Sequence, residues 1–314
     1  MTQEFLSLRR APPVGGHVWP LHCRSVLTAA IDETCQHLPA SGPSSDDVHA
    51  ARRGLKKSAA LALLLRQTTG ETSDACDMAV DVFKRVRKSL GDTRDLDVMA
   101  DVFASLRSDL DPAFAAKLES VLHREKKQHI ALGALNPRHL CDDLERQAAL
   151  IEQWSLVHAN TSSVVDGARR TYKKAIERGF PAFESENPEE LHALRKSVVN
   201  FRYQMDALAP AWPKLFDATV TEAQHLRTFL GDHHDLAMLA TFAACRDELH
   251  DDYDSFHAKI TARQANLIKK AQMSFVRLFG ERPRGFAQRL HACLEHPKRA
   301  VKWRTTARPS RRRA

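Results

Sequence analysis

Two short patterns recur in this chain in the same order and at nearly the same spacing, and any fold has to house both copies. The first, VHAARRGLKKSAALALLL (Val48 to Leu65), reappears as LHALRKSVVNFRYQMDAL (Leu191 to Leu208), which puts His49 and His192 143 residues apart. The second, KSLGDTRDLDVM (Lys88 to Met99), reappears as TFLGDHHDLAML (Thr228 to Leu239), with Gly91 and Gly231 140 residues apart. Ordered matches at nearly one offset argue for a duplication. The chain is therefore expected to divide into an N-terminal extension (1–19), a first half (20–160), a second half (161–297) and a C-terminal tail (298–314).

Both copies read as helix. With 12 Gly and 14 Pro in 314 residues, punctuation is too sparse for a turn-rich β fold, and Ala, Leu, Arg, Glu and Lys are plentiful. Apolar periodicity predicts helices at 20–38, 73–90, 94–107, 112–131 and 137–160, besides the one that follows Ser44-Ser45-Asp46. In the second half it predicts them at 161–178, 189–208, 213–229, 234–249, 252–279 and 284–294. Asn187-Pro188-Glu189-Glu190 offers an N-cap, a first-turn proline and acids against the helix dipole. Breakers fall at Pro39 to Ser45, Asp111-Pro112, Asn136-Pro137, Pro181 to Pro188, Pro210 to Pro213 and Gly280 to Pro283. The expected fold is all-α: two related four-helix-type bundles with pseudo-two-fold symmetry around a basic central groove. The longest apolar run, Ala59 to Leu65, falls far short of the roughly 20 residues a membrane span needs. The N-terminus also lacks the order of a secretory signal, so the expected location is the cytoplasm. Six scattered cysteines with no CxxC read as small core residues.

Charge is distributed unevenly. Residues 1–297 hold 39 basic and 39 acidic side chains, whereas 298–314 hold eight basic and none acidic, so the whole formal excess of +8 sits in the tail. That segment is too charged and too poor in apolar residues to pack, and is expected to be disordered. It would attract nucleic acid or any other polyanion without specificity, or serve only as a solvated end. Any specific site must come from local pattern in the body.

At about 100° per residue, positions i, i+3, i+4, i+7 and i+8 share a helix face. His49, Arg52, Arg53, Lys56 and Lys57 occupy those five positions, with no acid anywhere between Val48 and Gln67. Like charges at such spacing repel, so the row makes better sense facing an anion. Similar rows follow: Lys84, Arg87 and Lys88; His192, Arg195 and Lys196, with Arg202 slightly off centre; Arg169 with Lys173 and Arg170 with Lys174; and Lys259, Arg263 and Lys270. Arg94 and Arg227, beside the two Leu-Gly-Asp segments, complete the candidate binding set. A repeat axis would gather the rows into one groove able to focus a linear anion.

An apolar residue followed by His, then basic residues on a helix, then LG-x-x-x-D-L some forty residues on, twice per chain, resembles the conserved-histidine α-helical domain, the CHAD family. GARRTYKKAIERG (Gly167 to Gly179) resembles the family as well, and the likeness covers roughly residues 20–295. It implies two four-helix bundles, a basic cavity that binds inorganic polyphosphate, no enzymatic activity, no cofactor, and an association with polyphosphate granules. The second copy has Val199 and Asn200 where the first has Lys56 and Lys57, and His234 where the first has Arg94, which thins its positive row.

His49 and His192 read either as core residues or as donors to a polyanion that would raise their pKa and make binding tighter in mild acid. Asp92, Asp95, Asp232 and Asp235 read as helix caps or as carboxylates orienting a base. Asp232-His233-His234-Asp235 is the best metal candidate, although adjacent helical residues diverge too far for more than two to face one ion. Phosphate-loop, nucleophile-elbow and HExxH motifs are absent. Few aromatics interleave with the basic rows, which favours a polymer of phosphates without bases over single-stranded nucleic acid. Oligomeric state is left open.

Overall fold

The computed structural model describes residues 18–66, 73–90, 94–129 and 136–295, excepting the side chains of residues 73, 94, 95, 128 and 129. Among the described residues there are eleven α-helices and no strand: α1 (Val18–Gln36), α2 (Ser45–Leu65), α3 (Ser73–Ser89), α4 (Arg94–Leu106), α5 (Pro112–His129), α6 (Pro137–Glu152), α7 (Thr161–Ser185), α8 (Pro188–Leu208), α9 (Pro213–Ala244), α10 (Tyr253–Phe279) and α11 (Pro283–Glu295). Three short 3-10 turns link them. None of these helices is long and apolar enough to cross a membrane. The basic tail and the N-terminal extension, apart from its last two residues, lie outside the described residues.

The starts of α2 and α8 follow from their caps. Ser44 Oγ accepts from the Asp47 amide at 3.1 Å while the Asp47 carboxylate accepts from the Ser44 amide at 3.1 Å, a reciprocal box that satisfies two otherwise orphaned donors. Asn187 Oδ1 accepts from the amides of Glu189 and Glu190. One expected break begins later than expected and another is absent. Helix α7 runs through Pro181 to Ser185, stopping only where Glu186 takes the left-handed conformation at φ 50°. Helix α9 runs without interruption through Leu230-Gly231-Asp232, where a turn was expected. Over 32 residues it is about 48 Å long.

Helices α2 and α8, the two copies of the first pattern, pack against each other. Gln204 Nε2 on α8 donates to the Ala60 carbonyl on α2 at 3.0 Å, and Tyr203 Oη donates to the Arg53 carbonyl at 3.4 Å. Helix α7 crosses the end of α2 at Gly167, where any Cβ would overlap the Leu64 carbonyl. Two cores result. The larger joins α1, α2, α3, α6, α7, α8, α11 and parts of α9 and α10, around Leu27, Leu61, Phe83, Tyr172, Phe201 and Phe275. The smaller joins α4 and α5 to the far end of α9 and the near end of α10, around Phe103, Phe114, Leu239 and Phe256. The long helices α9 and α10 thus tie both cores into one framework.

Candidate functional site

The apolar side of α2, through Ala51, Leu55, Leu61, Ala62 and Leu65, is fully buried. That side fixes the rotation of the helix and leaves the basic row at the boundary between core and solvent, with Arg52, Lys56 and Lys57 half-buried and Arg53 exposed. Lys56 is the centre of a convergence. Burial pushes its ammonium down to about 8, and Arg195 on α8, Arg87 on α3, Arg227 on α9 and Arg52 on α2 push it the same way. Four helices, from both sides of the sequence repeat, therefore deliver cations to one place.

Arg195 reaches this place by crossing α9 over Gly231. A Cβ on Gly231 would lie 3.0 Å from Arg195 Nη2 and 3.2 Å from its Cζ. The glycine of the Leu-Gly-Asp segment thus serves as clearance for a guanidinium rather than as a turn. His192, one turn before Arg195, has its ring 5.1 Å from that of His234, and its Nδ1 is buried without a hydrogen-bond partner. Burial, reinforced by Lys196, His234, Arg195 and Lys56, holds its imidazole down to about 4. The neutral imidazole is therefore the form that the free protein favours.

Asp232 and Asp235 lie inside α9 and cannot cap it. Loss of hydration and the neighbouring Asp235 raise the pKa of Asp232, against the pull of Arg195, Arg227 and Arg263. It is thus a carboxylate set beside bases, the alternative reading of this segment. His233 is buried, and burial lowers its pKa, whereas His234 faces His192. Asp232 and Asp235 share one side of α9 while His233 turns into the core, and among the described residues no three His, Cys, Asp or Glu side chains are grouped to hold a metal ion.

Several other candidates have different surroundings. Arg169 pairs with Asp166 at 3.1 Å, Lys173 with Glu177 at 3.2 Å and Lys84 with Asp81 at 2.9 Å. Arg202 lies over the Tyr203 ring at 4.1 Å with its Nε buried and unpartnered. Both terminal nitrogens of Arg170 are also buried without partners, and burial, with Arg66 nearby, lowers its pKa. Arg263 donates to the Ser105 carbonyl at 3.2 Å, and Lys259 donates to the Asp109 carbonyl. His49 is half-buried, one turn before Arg52, while Lys88, Lys174, Lys196 and Lys270 are exposed. The Arg94 side chain lies outside the described residues. Sequence reasoning left Gly231 and His234 out of the binding set; the Leu-Gly-Asp repeat marks both positions. A recess of about 270 Å³ between α8, α9, α10 and α11, walled by Phe201, Met205, Phe216, Phe286 and Leu290, is lined by none of the converging cations.

The fold has relatives among solved structures. The crystal structure of the CHAD domain from the plant Ricinus communis is similar with a TM-score of 0.53 at 14% identity, over 90% of this chain and 94% of that one. PptA from Streptomyces chartreusis is similar with a TM-score of 0.56 at 14% identity, over 82% of this chain and 98% of that one. Identities this low show the fold alone. No curated protein matches the chain. The CHAD domain family matches residues 25–244, well over half of the sequence, and this chain belongs to that family.

Proposed function

We propose that the chain binds inorganic polyphosphate, without catalysis, along the cationic surface centred on Lys56. CHAD domains in general are linked to polyphosphate and are binding-type domains. The observation that carries the reading for this chain is the convergence of Arg52, Arg87, Arg195 and Arg227 on Lys56. Guanidinium forks and ammonium groups from four helices would hold successive phosphates through charge-assisted hydrogen bonds, and released counterions would add entropy. Lys57, Lys196 and Arg263 would extend the track at its edges, and the duplicated halves, 20–160 and 161–297, would each supply one wall. Residence on cytoplasmic polyphosphate granules belongs to the same reading.

The two tyrosines beside the basic rows support a ligand without bases. Tyr172 is buried and stacked on Phe286 with ring centroids 4.1 Å apart, and Tyr203 is buried under Arg202. Neither offers a free face on which a nucleobase would stack.

The test is a titration of the protein, with and without residues 298–314, against long polyphosphate and single-stranded DNA of matched charge at physiological salt. A preference for polyphosphate that survives loss of the tail and is abolished by Arg52→Ala with Arg195→Ala supports the reading. Binding that disappears with the tail, or shows no preference, overturns it. Tripolyphosphate should bind far more weakly than long chains, because a short anion engages only part of the surface.

A further inference from the structure

Folding brings together two cysteines that lie 106 residues apart in the sequence. Helix α6 packs along α1 and is held to it at both ends. At one end Arg24 Nη1 on α1 donates to the carbonyls of Glu152 at 3.0 Å and Trp154 at 3.1 Å. At the other, near the start of α6, the Cys141 thiol donates to the carbonyls of Cys35 at 3.7 Å and Leu38 at 3.8 Å. The Cys35 and Cys141 thiols are also in hydrogen-bond contact with each other. Between these ends Leu27 and Ile31 on α1 and Leu144 and Ile151 on α6 are fully buried, so packing fixes the register that sets sulfur against sulfur. Cys35 and Cys141 are both half-buried and within reach of a small molecule, whereas Cys23 and Cys76 are fully buried and Cys245 stands exposed.

We propose that Cys35 and Cys141 form an oxidisable dithiol, a modification site for small disulfides of the glutathione type, whose closure clamps the start of α6 to the end of α1. The inference is independent of the polyphosphate reading. In the first step the Cys141 thiolate attacks one sulfur of the small disulfide, forming a mixed disulfide and releasing one thiolate. In the second the Cys35 thiolate attacks the Cys141 sulfur, forming the internal disulfide and expelling the second small thiolate. The two cysteine protons end on the released thiols, so a protein dithiol and one small disulfide become a protein disulfide and two small thiols. The order of attack follows from the contact. Burial pushes the Cys35 thiol up to about 12, and Cys141, Glu145 and Asp32 push it the same way. Burial raises Cys141 too, but there the hydrogen bond with Cys35 works against the rise. Cys141 therefore holds the larger share of thiolate, which is the nucleophilic form. Exchange is slow near neutral pH, quickens as pH rises, and is reversed by excess small thiol. The closed clamp spans α2 to α5, and a cross-link over so long a stretch stabilises mainly by restricting the unfolded chain.

The experiment is incubation of the full chain with oxidised glutathione at about pH 8.5, where thiolates are better populated, followed by mass-spectrometric mapping of the six cysteines in digests made without reduction. A linked Cys35–Cys141 peptide pair is expected, with glutathione on the exposed Cys245 as the sign that the reagent is active. The oxidised chain should unfold at a urea concentration higher by on the order of 1 M and return to its original midpoint on reduction. Cys35→Ser should stop at the first step, with glutathione retained on Cys141, and Cys141→Ser should leave Cys35 reduced. Modification of Cys245 while Cys35 and Cys141 stay reduced, or pair with other cysteines, overturns the inference. Absence of glutathione from Cys141 in Cys35→Ser, or its appearance on Cys35 in Cys141→Ser, overturns the order of attack. A linked pair with an unchanged urea midpoint overturns the clamp.

Discussion

Replacing Gly231 with alanine separates the stability of α9 from the function of the surface it carries. Gly231 has ordinary helical backbone; among the described residues only Gly42 and Glu186 have positive φ. A glycine inside a helix costs about 1 kcal/mol relative to alanine, so on local grounds Gly231→Ala is a stabilising change. The new methyl would stand 3.0 Å from Arg195 Nη2 and 3.2 Å from Cζ, inside the roughly 3.5–4.0 Å at which carbon contacts are comfortable. The guanidinium, at the end of a flexible side chain, has to retreat by several tenths of an ångström. A charge-assisted hydrogen bond is worth about 1.5–3 kcal/mol, and losing part of one costs on the order of 1 kcal/mol, or about fivefold in Kd. Urea unfolding should therefore show unchanged or increased stability while titration with long polyphosphate shows a weaker complex. In an Arg195→Ala background the same substitution should leave affinity alone, because the two residues act through one contact. A fall in stability with no change in affinity would refute the clearance argument.

Other perturbations follow from the same charges and caps. Lys56→Met should stabilise the free protein at neutral pH by on the order of 1 kcal/mol, after discounting for solvent. The cost of the charged amine is fully present below about 8 and is gone above the unfolded value of 10.5, so denaturation at about pH 7 should show the gain and at about pH 11 should not. The neutral His192 ring, held down to about 4 against an ordinary 6.5, means that the unfolded chain binds a proton the fold refuses as pH drops through that interval. Thermal stability of the free protein should decline there, and His192→Gln should flatten the decline. Ser44→Ala removes the capping box of α2 and should cost about 1 kcal/mol in chemical denaturation.

Helix starts and basic rows were legible because both depend on neighbours in sequence. Ser44 and Asn187 cap where their side chains reach amides two or three residues on, and the row from His49 to Lys57 follows from helical geometry alone. The continuity of α9 was not legible. Leu-Gly-Asp reads as a turn wherever glycine is valued for its backbone, and only the third dimension shows that the missing Cβ at Gly231 makes room for Arg195. The acids that neutralise Lys84, Arg169 and Lys173 stood three or four residues away in the sequence, at Asp81, Asp166 and Glu177, and reading the rows for one sign of charge passed over them. The crowding at Lys56 depends on α3, α8 and α9 arriving at α2 together, which spacing along one helix does not express.

The conflict at Lys56 explains why the two copies of the first pattern need not be equal. Every cation added to a half-buried surface raises the repulsion that the apolar sides of the same helices must offset, and α2 already carries five basic positions over two turns. Helix α8 has Val199 and Asn200 at the positions matching Lys56 and Lys57, and one residue further its Phe201 is fully buried in the larger core. The bonds from Tyr203 and Gln204 back to α2 fix the two helices against each other. On this view the second copy contributes Arg195 and then turns to packing, holding the first copy's row in place. Restoring the duplicated charge with Val199→Lys should therefore lower stability, and any gain in affinity should be smaller than the loss caused by Arg195→Ala, because a further ammonium in that crowd would shed its proton rather than carry a full charge.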